Sequence, residues 1–160
     1  MRHLVITIGC EYGAKGNAIG RKIAEDLNIK FYNRELVDEI IEEVGIPKEI
    51  MENCVIIGRS ADYILKDSDK INLLRAFIYA PDDVRIHNIM ESHNLTEKDA
   101  GILLLEKDKR YHKRHLALTG SNRGDRHNRN ILIDSSYLGI EGTADYIEEL
   151  VRRKFGSGEE

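Results

Sequence analysis

The chain alternates short, almost unbroken apolar runs with longer stretches in which apolar residues recur every three or four positions. "HLVITIG" (His3 to Gly9) is β-branched and apolar up to its glycine, and reads as a buried strand. From Gly16 to Leu27 the period changes: Ile19, Ile23, Ala24 and Leu27 share one helical face, with Arg21, Lys22, Glu25 and Asp26 outside it. Ile29 to Tyr32 predicts a short second strand, and Asn33 stands where it would cap a helix carrying Leu36, Val37, Ile40 and Ile41. Gly45 and Pro47 end that helix. "CVIIG" (Cys54 to Gly58) predicts a third strand, a helix follows from about Ser60 to Leu65, and "INLLRAFIYA" holds a fourth strand.

Pro81, Asp82 and Asp83 open the next helix, with proline suited to the first turn and the acids to the helix dipole. Thr96 and Asp99 form a weaker capping box for the helix after it. "NILIDSS" gives a last strand, and from Leu138 onward Ile140, Ala144, Ile147, Leu150 and Val151 mark a final helix. Apolar strands alternating with helices predict an α/β fold, a parallel sheet with helices on both faces.

Length and composition add bounds. A chain of 160 residues, 41% of them hydrophobic, fits one domain, expected over residues 1–155 with a polar tail at 156–160. The N-terminus lacks the apolar run of a signal peptide and nothing reaches about 18 apolar residues, so a cytoplasmic protein with no membrane partner is expected. Cys10 and Cys54 are too few for a disulfide framework and are expected to stay unbridged. His112, His115 and His127 are flanked by Lys113, Arg114 and Arg126, with no thiolate or carboxylate to offset a cation, so no metal is expected there.

The net charge of −4 hides an asymmetry. Lys107 to Arg129 carries eight Lys/Arg against two Asp, a local +6, so the rest of the chain holds sixteen against twenty-six, or −10. A basic segment on an acidic protein attracts anions locally and argues against nucleic-acid coating, which calls for a broadly basic face.

Three groups could meet such an anion. In "GCEYGAKGNAIG", Gly13, Ala14, Lys15, Gly16, Asn17 and Ala18 lie between strand and helix, where curled backbone N–H groups and a helix N-terminus favour phosphate. The alternative is a bare turn, with Gly20 serving helix packing. A Walker A loop would follow its last glycine with Lys and Ser or Thr; Asn17 and Ala18 stand here, so Lys15 would supply the charge from a neighbouring position and nothing supplies the hydroxyl. Gly58 and Arg59 close the third strand, and Asp62, one turn on, would orient the guanidinium on a phosphate, unless the two are only a surface pair. Ile57 is apolar where an acid often holds metal. Lys107, Arg110 and Arg114 would project from one helical face as a clamp, or else as a solvated charged surface.

Together "EYGAKGNAIGRKIAEDLNIKFYNRELVDEI", "CVIIGRSADYILKD", "FIYAPDDVRI" and "LIDSSYLGIEGTADYI" resemble the cytidylate kinase-like family of P-loop nucleoside monophosphate kinases. The resemblance implies a three-layer fold around a five-stranded parallel sheet, with ATP and Mg²⁺ as donor and CMP or dCMP as acceptor. It puts Gly13 to Ala18 at the phosphate loop, Gly58-Arg59 at the acceptor phosphate, and a lid at Lys107 to Thr119 within the basic segment 107–129. Lys15, Arg59, Arg110 and Arg114 would then be catalytic. Three departures are visible. The usual YGSGGREIG-like loop has lost a glycine and a charged pair, only about twenty residues (Arg34 to Asn53) stand where a nucleoside-binding arm is usual, and Tyr111 replaces the arginine of the DKAR pattern, so that Arg110 would stand in from the adjacent position. The alternative is a degenerate relative that binds a nucleotide, an inorganic anion or a protein partner without turnover; if the chain does turn over CMP, another surface, such as that of a second subunit in a homo-oligomer, is expected to complete the acceptor site.

Overall fold

The computed structural model describes residues 2–35, 52–58 and 60–156. The helix predicted over Leu36 to Ile41, Arg59 and the tail after Gly156 lie outside the described residues. Five strands, β1 (His3–Cys10), β2 (Lys30–Tyr32), β3 (Cys54–Ile57), β4 (Ile71–Tyr79) and β5 (Ile131–Asp134), form one sheet in the order β2-β3-β1-β4-β5. Every pairing is parallel, with Ile6 opposite Val55 on one side and Leu74 on the other. The described helices are α1 (Gly16–Asp26), α2 (Ala61–Leu65), α3 (Asp82–His93), α4 (Glu97–Thr119) and α5 (Ser135–Phe155), with a 3₁₀ turn at Arg126–Asn128.

Strand alternation divides the core into two layers. Ile6, Ile8, Val55, Ile57, Leu74 and Ile78 face α1 and α5, meeting Ile19, Ile23, Ala144, Ile147 and Val151. Val5, Cys54, Ile56 and Ile71 face the other way, onto Ala61 and Leu65 of α2. The predicted three-layer fold is therefore present. Each buried valine, leucine or isoleucine among them contributes about 1.5–3 kcal/mol by leaving water. Gly20 belongs to this packing: a Cβ on it would lie 2.5 Å from Ile57 Cδ1, so the glycine sets how closely α1 approaches β3.

Two element boundaries differ from expectation. Pro81 is the cap before α3, not its first residue, because its ψ of 150° is extended. The last helix begins at Ser135, three residues before Leu138, since the Asp134 side chain accepts from the Ser136 N–H (2.8 Å) and caps it there; a kink follows at Gly139. Thr96 caps α4 through Asp99 N–H (3.2 Å), as the sequence predicts. Cys10 and Cys54 are both buried and free.

Candidate functional site: a glycine loop and an arginine pocket

The turn between β1 and α1 is shaped by two positions that reject a side chain. Gly13 sits at φ 83°, and a Cβ on it would lie 2.8 Å from the Arg85 carbonyl oxygen. A Cβ on Gly16 would lie 2.4 Å from Cys10 Cβ. Lys15 adopts left-handed backbone (φ 68°) and precedes α1 without making a side-chain cap.

Three successive carbonyls of this loop are tied down by side chains from elsewhere. Arg85 Nε donates to Tyr12 O (2.9 Å), Asn88 Nδ2 to Gly13 O (2.8 Å), and Ser135 Oγ to Ala14 O (2.6 Å). A trans peptide sets each carbonyl opposite the following N–H. Fixing Tyr12 O and Ala14 O therefore turns the N–H groups of Gly13 and Lys15 away from those donors, while Ala14 N–H closes a turn on Glu11 O (3.1 Å). Gly16, Asn17 and Ala18 add the first N–H groups of α1, which have no intrahelical acceptor and carry the positive end of the dipole. This surface borders a cavity of about 510 Å³, with Arg34 and Tyr111 among the residues that line it with the loop.

Arg85 holds the loop to its surroundings. It is 2% exposed, and its Nη2 meets Asp108 Oδ1 of α4 at 2.6 Å while Nη1 reaches Asp82 (3.3 Å) and Glu11 (3.6 Å).

A second, smaller cavity of about 40 Å³ adjoins the ends of β1 and β3, and Arg34 and Tyr111 line it as well. Arg114, Arg123 and Arg129 bring the guanidiniums there to four, against the single carboxylate of Asp62. Asp62 Oδ2 lies 2.6 Å from Arg129 Nη1, both side chains almost wholly buried, and Arg129 Nε has no protein acceptor among the described residues. Aromatic faces carry the remaining cationic surface: Arg34 and Arg123 lie 4.6 and 5.0 Å from the Tyr111 ring centroid, and Arg129 lies 5.2 Å from that of Phe77. Arg123 also donates to the Cys10 carbonyl, joining the pocket to the end of β1. His115 Nδ1 lies 2.8 Å from Ser60 Oγ. Burial, then the nearby Arg129, pushes the His115 imidazole below its usual range, so it is neutral at pH 7 and leaves the positive charge to the arginines.

The residues expected from sequence separate into groups. Gly13 to Ala18 form the cradle, with the Ala14 side chain buried in the core and Lys15 exposed at the cavity wall. Gly58 is left-handed (φ 69°) and a Cβ on it would lie 3.2 Å from Arg34 Nε, so it brings the β3 end against that guanidinium. Arg59 lies outside the described residues, and the described partner of Asp62 is Arg129. Lys107, Arg110 and Arg114 do not act as one face. The inward positions of α4 are Ala100, Leu104, Tyr111 and His115; Arg110, one residue out of step, is 60% exposed and pairs with Glu106 at 3.3 Å. Lys107 lies 5.7 Å from the Tyr12 ring centroid, and Arg114 lines the small cavity. Tyr111 does not leave a gap for Arg110 to fill: its ring is covered by Arg34 and Arg123. Sequence reasoning missed Arg34, Arg85, Arg123, Arg129 and Ser135. The last two arginines were visible only as charge in the basic segment.

Comparison with known proteins supports the fold and gives the family. The model of the cytidylate kinase-like family matches residues 5–53 and 48–137. A cytidylate kinase of Thermococcus sibiricus is 25% identical over 158 residues, covering 92% of this chain and 80% of that protein. The solved structure of an uncharacterized protein from Eubacterium ventriosum superposes with a TM-score of 0.86 at 27% identity, covering 96% of this chain and all of that one. A gluconokinase from Sinorhizobium meliloti shares the fold alone, with a TM-score of 0.57 at 13% identity over 99% of this chain and 100% of its own. Among the described residues no helix is long and apolar enough to cross a membrane. Because the family model spans well over half of its length, the chain belongs to the cytidylate kinase-like family.

Proposed function

We propose that the chain binds the phosphates of a nucleoside triphosphate at Gly13 to Ala18 and the phosphate of a CMP-class acceptor in the arginine pocket, and transfers the phosphoryl group between them. The observation that carries this reading is the adjacency of the two cavities, both lined by Arg34 and Tyr111. Phosphoryl transfer asks little covalent chemistry of a protein; it asks for two phosphates in line and cations around the charge between them. In this reading Lys15 neutralises the donor phosphates, and Gly58 and Arg59 meet the acceptor at the β3 end. Arg123 and Arg114 surround the transferring group, with Arg110 a more distant contributor to the local field.

Mg²⁺ fits the described residues poorly. The ion is usually held by one or two carboxylates plus substrate phosphates. Of the carboxylates at the loop cavity, Glu11 is already engaged by Ala80 N–H (3.1 Å) and Arg85, and Glu35 is an exposed residue. Ala18 stands where a hydroxyl is expected, and Ile57 offers nothing. These features favour a second reading, binding of a nucleotide or inorganic anion without turnover.

Calorimetry with ATP, CMP and inorganic phosphate, each with and without Mg²⁺, together with a coupled assay of CMP and dCMP phosphorylation, separates the two. The kinase reading expects Mg²⁺-dependent ATP binding and turnover that an Arg59→Ala variant loses. Anion binding indifferent to Mg²⁺, without turnover, supports the second reading. No heat from any of these ligands would overturn both.

A further inference from the structure

At the far end of α1 from the phosphate loop, three carboxylates converge. Asp26 is the last residue of α1; Asp145 and Glu148 lie three apart on α5, which packs beside it. One carboxylate oxygen from each lies within 4.8 Å of the other two. Asp26 and Asp145 are solvent-facing, whereas Glu148 is 5% exposed and its Oε1 is buried with no hydrogen-bond partner. A buried carboxylate oxygen left unpaired costs free energy that a proton or a cation must offset.

The local charges favour a cation. Lys22 Nζ grips both Asp26 oxygens, at 2.5 and 2.7 Å, and Glu141 stands within its field. Arg152, the other cation near Glu148, is drawn to Glu149 (3.2 Å). Four carboxylates thus face one engaged ammonium and one engaged guanidinium. The C-terminal carbonyls of α1 add partial negative charge at Asp26. Burial, then a side-chain hydrogen bond with Asp26 and the Asp26 and Asp145 charges, pushes the Glu148 carboxyl up to about 7, while Oε1 stays unpaired.

We propose that Asp26, Asp145 and Glu148 form a binding site for a hard divalent cation of the Ca²⁺ or Mg²⁺ class, separate from the phosphate site. An all-oxygen set without nitrogen or sulfur selects such ions. The eleven residues of α1 put roughly 16 Å between this site and the loop at 1.5 Å per residue, so the ion is not one that touches a nucleotide bound there. Its consequence is mechanical. The Ser135–Ala14 hydrogen bond ties α5 to the loop end of α1, and the cation ties the two helices at the other end. Lys22 competes with the ion for Asp26.

The test uses the full chain stripped with chelator and titrated with Ca²⁺ and Mg²⁺ by calorimetry, alongside thermal unfolding. One equivalent should bind with Kd of about 0.1–1 mM, the range of weak oxygen-ligand sites, and raise the melting temperature. Binding near pH 6.5 should release a proton from Glu148, seen as dependence of the heat on buffer ionisation enthalpy, and Glu148→Gln should abolish that release. Asp145→Asn should weaken binding by at least about tenfold, the lower end of what removing even an outer-shell partner costs, and Lys22→Met should tighten it. ATP binding should be unchanged in both. No saturable heat and no rise in melting temperature for either ion at about 10 mM, ten times the weakest Kd expected, would overturn the proposal and leave a shared proton as what satisfies Glu148. Binding that survives Asp145→Asn and Glu148→Gln unchanged would overturn it equally.

Discussion

Replacing Asp62 with asparagine should remove the one carboxylate that offsets the arginine pocket while keeping its shape. Asp62 and Arg129 meet at 2.6 Å with side chains 5% and 2% exposed, so neither charge has water to fall back on. Removing one partner of a buried pair costs about 3–5 kcal/mol, because the other is left uncompensated. Here the orphaned guanidinium also faces Arg34, Arg114 and Arg123, which places the expected loss toward the upper end. For a chain of this size 1 kcal/mol moves the melting temperature by about 2–4 °C, so Asp62→Asn should melt about 6–20 °C lower. Phosphate should then restore part of the loss, about 2.7 kcal/mol at a hundredfold excess over Kd, since the anion supplies the missing negative charge. Urea unfolding of the wild type, Asp62→Asn and the double variant Asp62→Leu/Arg129→Met measures this. The double variant should lose less than the single one. A single-variant loss under about 0.5 kcal/mol, the size expected of a solvated pair, would refute the buried-pair argument. A loss that phosphate leaves untouched would refute the anion pocket.

Gly16→Ala should destabilise the chain by about 1–3 kcal/mol by overpacking against Cys10, and should abolish the calorimetric phosphate signal, because α1 must shift to admit the methyl. In chelator, stability should fall as pH rises from the ordinary 4.5 of a glutamate to the 7 of Glu148: the folded state binds the extra proton across that window and gives it up above it. Glu148→Gln should flatten this part of a urea-derived stability–pH profile, and an unchanged slope would count against it. Both cysteines should be free thiols by mass spectrometry. Cys54, its thiol pushed up to about 12 by burial and then Glu52, should resist alkylation at neutral pH until the chain unfolds.

The fold was legible because its strands are buried on both faces. "HLVITIG" and "CVIIG" are apolar throughout, which only a covered parallel sheet explains, and Ile19, Ile23 and Ala24 fix the inward face of α1. The loop was legible too, since its glycines sit between a strand and a helix. What escaped was anything set by distance through the fold. Arg85 and Ser135 tie down loop carbonyls seventy-three and 121 residues away along the chain, and no local spacing announces them. Asp62 pairs with an arginine sixty-seven positions on, whereas the sequence offered Arg59 nearby. Arg110 and Arg114 share a four-residue spacing, yet the inward stripe of α4 runs through Tyr111 and His115, so only Arg114 reaches the pocket. A period states which residues share a face; it does not state where the edge of the buried stripe falls.

The most direct measurement is a crystal structure of the chain grown with a nonhydrolysable ATP analogue and CMP. Triphosphate density is expected within about 3 Å of the N–H groups of Gly13, Lys15, Gly16 and Asn17, the ordinary N–H···O distance, and monophosphate density among Arg34, Arg123 and Arg129. Saturating ligand with density at neither place, or phosphate density elsewhere while the loop N–H groups face no anion, would contradict the proposed function.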